Sequence, residues 1–272
     1  QLAGTLRGDV DKPLWLENVA VLPGSHLINV ILGENVILPA EVTLENVIFS
    51  ANFHLTGGTL RGNITGEKKA PALLENVRVS AGCHLTNVTL GKKVTVAKGI
   101  TLGGTITNQS GSLLEDVQLE GNTVLSGGQL TGNITGTIAL SQGVENSPLA
   151  LLENLEVLAG SHLKNVVLGE NVTLAEDVIL ENVKLPANFV MKGGQLRGII
   201  IGQEDAPARL DNVKIAAGSY LESVIIGKTV TWAEDVTFGQ DVCLSAWGID
   251  ALGKTVDTQT CFIGHLRADD LS

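Results

Sequence analysis

A short apolar dyad, two aliphatic residues flanking a variable one, recurs along nearly the whole chain, and its spacing leaves few folds open. The first dyads are Val19/Val21, Ser25/Leu27, Val30/Leu32, Val36/Leu38, Val42/Leu44, Val47/Phe49 and Phe53/Leu55, each five or six residues after the last. Alternation within a dyad has the period of a strand, and three residues followed by a corner are too few for a helix. Val19, Val36 and Phe53 are 17 residues apart, so three dyads close one lap of a triangular coil. The expected fold is all-β: one three-sided parallel β-solenoid of about 14 coils of ~17 residues, flanking residues inward and the middle residue outward.

Longer repeats lie over this rhythm. Leu16-Glu17-Asn18-Val19, Leu74-Glu75-Asn76-Val77, Leu152-Glu153-Asn154-Leu155 and Leu210-Asp211-Asn212-Val213 open four units, near 16, 74, 152 and 210. The third follows the first, and the fourth the second, by 136 residues, so the chain is a duplication of a two-unit half. The solenoid is expected over residues 1–242. Residues 243–272 lose the dyads and are expected to cap the last coil or hand over to another domain. Hydrophobic residues make up 44 % of the chain and aromatics only 3 %, which suits many thin aliphatic layers. A lone coil should not fold, because stacking is what closes each apolar layer.

The corners reached in five residues read Leu27-Ile28-Asn29-Val30, Leu85-Thr86-Asn87-Val88 and Leu163-Lys164-Asn165-Val166. Asn tolerates the left-handed backbone that a sharp corner demands, and its amide can bond a stacked counterpart. These Asn are expected to be structural. The sequons at Asn63, Asn87, Asn133 and Asn171 are read as by-products of the same composition.

Leu168-Gly169-Glu170-Asn171-Val172-Thr173 followed by Leu174-Ala175-Glu176-Asp177-Val178-Ile179 resembles the hexapeptide repeat of left-handed β-helix acyltransferases. The Gly-punctuated run Leu60-Arg61-Gly62-Asn63-Ile64-Thr65-Gly66 resembles bactofilins, right-handed solenoids that polymerise end to end. The recurrent five-residue step departs from a hexapeptide count, and with an Asn at its corner it implies right-handed winding.

A formal net charge of −11 argues against nucleic acid and against an anionic membrane surface as partners. No apolar run is long enough to span a bilayer, and no signal peptide is visible. The chain opens inside a repeat, which implies a segment of something longer. Cys83 falls where other copies carry Ser25, Ser161 and Ser219 and reads as a small core residue. Cys243 and Cys261 could form a disulfide, which would place the protein in an oxidising compartment.

Recurrent outward positions supply the candidate interaction residues. His26, His84 and His162 are equivalent, and Tyr220 fills the same place in the fourth unit; all four are expected to point outward from one face. No neighbouring carboxylate is evident for a general base, and their separation excludes a shared metal. Carboxylates at Glu34, Glu41, Glu170, Glu176, Asp177, Glu234 and Asp235 give way in sister corners to Lys92, Lys93, Lys98 and Lys228, so a calcium stripe is not expected. Polar insertions ending at Pro13, Pro71, Pro148 and Pro207 recur at one phase and should stack along one edge, with residues 136–150 as the centre. Outward Ile31, Ile37, Ile48, Val167, Ile179 and Ile225 add a sticky surface suited to self-association through faces or ends.

No Ser-His-Asp, Cys-His, zinc-ligand or phosphate-loop constellation is present, so no catalytic, cofactor-binding or metal residue is assigned. The expected function is a non-enzymatic, adhesin-like scaffold within a larger bacterial surface or secreted protein, at an extracellular or cell-surface location, with other proteins or surface glycans as partners. The alternatives are a glycan-binding or glycan-processing β-helix and a hexapeptide-type acyltransferase.

Overall fold

The computed structural model describes residues 1–109, 111–140, 148–249, 255–262 and 266–267, with side chains described as far as Ser245. Every regular element there is a strand. Stacked strands are parallel up to the last coil, and the offset between stacked residues is set by the dyad rhythm: His26 lies beneath Thr43, His162 beneath Ile179 and Leu163 beneath Leu180, each 17 residues on. The result is a three-sided β-solenoid of about 14 coils, in which the inward dyad residues form one continuous aliphatic core from Leu16 to Val242.

Three sides can be followed by register. The first carries residues 5–7, 26–28, 43–45, 59–61, 78–79 and 95–96. The second carries 14–16, 30–32, 47–48, 64–65, 85–86 and 102–103, then 118–119, 135–136, 162–164, 179–181, 195–197 and 214–215. The third carries 54–56, 73–75, 88–90, 106–108, 124–126, 151–153 and, later, 166–168, 183–184, 199–201 and 220–222.

The corners behave as their side chains demand. Asn29, Asn87 and Asn165 have φ of 53°, 53° and 56°, in the left-handed region, where a short amide side chain costs least. Each also donates from Nδ2 to the carbonyl at which an insertion leaves the ladder: Gly8, Gly66 and Gly136 respectively. On the far side Asn46 Nδ2 donates to Asn29 Oδ1, and the backbone N–H of Asn63 donates to Asn46 Oδ1. The second half repeats this chain of bonds through Asn165, Asn182 and the N–H of Ile199. At Gly62 the ladder gains a residue, and a Cβ there would meet Asn46 Oδ1 at 2.1 Å.

Past Phe238 the pattern changes. Val242–Ile249 still stacks in parallel on Val224–Ile226 but pairs antiparallel with Thr255–Phe262, and Leu266–Arg267 pairs antiparallel with Thr237–Phe238. Cys243 lies opposite Cys261 in that ladder; the expected bond between them involves a side chain outside the described residues.

Candidate interaction surfaces

The four equivalent outward residues do not share one face. His26 stacks between Thr5 and Thr43 on the first side. His84 stacks on Asn63, and His162 on Asn133, both on the second side. Tyr220 stacks on Ile199 on the third. The cause is arithmetic: 58 residues make three laps of 17 with seven left over, so the next copy opens one side further round. Tyr220 is moreover buried, its ring against Gly239, where a Cβ would collide with the phenol, and its hydroxyl donates to Glu222. Burial and the adjoining carboxylate push that phenol up to about 12.

The insertions are redistributed in the same way. Pro13 leads into the second side through Leu14–Leu16, Pro71 and Pro148 lead into the third through Ala72–Glu75 and Ala150–Glu153, and Pro207 leads into Ala208–Asp211, which stacks on Val190–Lys192. They emerge from three edges and form no continuous loop surface. Residues 141–147, the heart of the longest, lie outside the described residues. The insertions at 66–71 and 202–207 are the same tight turn, closed by Ala70 N–H on Glu67 O and by Ala206 N–H on Gln203 O.

The histidines, against the expectation from sequence, do have neighbouring carboxylates. His26 Nε2 lies 3.1 Å from Glu45, His84 Nε2 3.3 Å from Glu120 and His162 Nε2 3.0 Å from Glu181. At His84 and His162 the buried Nε2 lies near the carboxylate without forming a hydrogen bond. His54, which the sequence reading passed over, pairs with Glu75 at 2.8 Å. Lys164 joins Glu181 at 2.6 Å, and chiefly through that bond, with His162 adding, the Glu181 carboxyl is held below its ordinary value despite partial burial. The signal was present in the 17-residue lap: Glu45 and Glu181 each follow the residue stacked on the histidine by two positions. Each pair joins neighbouring or next-neighbouring laps from outside.

Cys83 is fully buried, and burial pushes its thiol up. Among the described residues no group of three or more His, Cys, Asp or Glu could hold a metal ion. The outward aliphatics divide unequally. Trp15, Ile31 and Ile48 stack into an apolar column on the second side, with Trp15 55 % and Ile48 42 % exposed. The corresponding column of the second half is Leu151, Val167 and Lys184.

Shallow grooves between corners recur at the duplication interval. One is lined by Gly33, Asn35, Ala51, Phe53 and His54, and its counterpart by Gly169, Asn171, Ala187, Phe189 and Val190. Another, of about 320 Å³, is lined by Ala40, Thr59, Asn76, Arg78, Lys93 and Thr95, and its counterpart by Glu176, Asp177, Gln195, Asn212 and Lys214. No protein-family model, curated protein or solved structure matches this chain.

Proposed function

We propose that the chain is a non-enzymatic interaction scaffold, an adhesin-like segment of a larger bacterial surface or secreted protein that presents its faces to other proteins or to surface glycans. The observation that carries this reading is the contrast between inside and outside in the two halves. Inward residues are kept as aliphatics across 136 residues, as in Val30/Val166, Leu44/Leu180 and Leu60/Leu196, while outward residues change character, as in Ile37/Thr173, Ile48/Lys184 and Ala40/Glu176. A frame held constant under variable faces is what a display scaffold requires. Right-handed winding of the bactofilin kind, the boundary between a solenoid over 1–242 and a closing segment over 243–272, and a Cys243–Cys261 bond formed in an oxidising compartment belong to the same proposal.

The hexapeptide-type acyltransferase remains the second reading because a histidine beside a carboxylate is what a general base needs. Equilibrium binding and turnover of an acyl-CoA by the intact chain separate the two. The scaffold reading expects neither, and saturable binding with acyl transfer that is lost in His162→Gln would replace it. Protease shaving of intact source cells tests the location, with release of solenoid fragments as the expected result.

A further inference from the structure

We propose that the groove around Arg78 and Lys93 binds the acid groups of a glycan; this rests on the interaction-scaffold reading and names a partner for it. Residues 61–98 hold seven Lys or Arg against two Glu in a chain of net charge −11, whereas the duplicate stretch 197–234 holds four against five. The fold therefore does not require the positive charge. Arg78 stacks between Thr59 and Thr95 on the first side, so its guanidinium is set among hydroxyls. Neither Arg78 nor Lys93 has an ion-pair partner among the described residues, and the groove they share is lined by no carboxylate.

Lys93 supplies an independent argument. It occupies a left-handed corner, φ 56°, where the first and third units use Asn35 and Asn171. Those two amides donate to Asn18 and Asn154 one lap below. Lys93 makes no such bond and is less suited to the backbone, so Asn76 lacks the ladder partner that Asn18 and Asn154 have and lies at the groove wall. The fourth unit also departs from Asn, with Thr229 at φ 56°, so the corner accepts other residues and it is the charge of Lys93 that sets the second unit apart.

The chemistry of the wall selects the ligand. Arginine presents a planar fork suited to carboxylate or sulfate, and lysine adds a point charge. Thr59, Asn76 and Thr95 offer hydrogen bonds to hydroxyls, while Ala40 and Val77 are the apolar contributors, which is too little to seat the side chains of a peptide. An acidic sugar satisfies both halves of this description. In the second half Glu176 replaces Ala40, and a carboxylate there opposes the same ligand.

The test is calorimetric titration of the intact chain with an oligouronate, a sulfated oligosaccharide, a neutral oligosaccharide of equal length and oligo-glutamate, at low and high salt. One or both acidic glycans should bind one per chain, more weakly as salt rises, and the neutral glycan should not. Arg78→Gln, Lys93→Asn and Ala40→Glu should each weaken binding about tenfold or more with an unchanged circular dichroism spectrum. Equal binding of the neutral glycan, equal binding of oligo-glutamate, or full affinity in Arg78→Gln overturns the proposal. Absence of any binding overturns it too but leaves the scaffold reading standing, since that reading falls on acyl transfer.

Discussion

Corner residues carry more of this fold than their size suggests. Asn165 supplies a backbone conformation, a donor to Gly136 O and an acceptor for Asn182. Asn165→Ala is expected to destabilise by about 2–3 kcal/mol, from the left-handed backbone and the lost bonds together, and Asn165→Gly by about 1 kcal/mol, from the bonds alone; thermal melts of the pair separate the two contributions. At Lys93 the sign reverses. Lys93→Asn relieves the corner and restores a ladder donor to Asn76, so it should stabilise by about 1 kcal/mol while weakening anion binding. Glu181 shows a third residue-scale effect. Its carboxyl is depressed in the folded chain, so its contribution is fully present above the unfolded carboxylate value and is lost as pH falls from about 4.5 through the lower folded value. Lys164→Met should flatten the acid limb of the melting temperature over that window, and an unchanged limb would remove Glu181 from the account.

At the scale of strands and coils, one lap is the unit that can be removed. Deleting 162–178 joins Ser161 to Ile179, the residue already stacked on His162, and brings Asn182 into Asn165's place above Gly136. That variant should fold with the same strand signature and a lower melting temperature. Deleting 162–177 instead shifts each following residue by one and turns inward aliphatics outward, so it should fail to give a cooperative melt. This locality explains what could be read in advance. Dyads and corner Asn are set by neighbours within one lap, so coil length, burial and the left-handed corners were legible from Val19, Val36 and Asn29. The azimuth of each copy accumulates over many laps, and the seven residues beyond three laps carry His26, His84 and Tyr220 to different sides although their sequence contexts agree. The His–Glu pairs were hidden for a related reason: Glu45 and Glu181 are neighbours only through stacking plus two positions, and Glu120 lies two laps above His84. The Arg78–Lys93 groove became visible only when Thr59, Arg78 and Thr95 were placed over one another.

For the molecule as a whole, a parallel solenoid has the problem that its last lap offers unpaired N–H and C=O groups to any other strand. Here two sides of that lap meet antiparallel partners: Thr255–Phe262 lies along Val242–Ile249, and Leu266–Arg267 along Thr237–Phe238. An antiparallel strand can satisfy the ladder beneath it without continuing the coil, which suits it to ending a stack. A chain cut before Ser245 keeps Cys243 and Leu244 stacked on Ile225 and Ile226 but strips the antiparallel partners from residues 237–238 and 242–244. The net negative charge that the cut chain keeps slows association of such ends at low salt, and the effect fades once the Debye length falls to about 3 Å near 1 M salt. The truncated chain should therefore elute as oligomers whose mass grows with salt, while the intact chain keeps one mass throughout, measured by light scattering on a sizing column. A truncated chain that stays at a single unchanged mass at both salt concentrations would mean that the antiparallel strands close nothing, and that neither they nor the net charge is what keeps the stack from pairing.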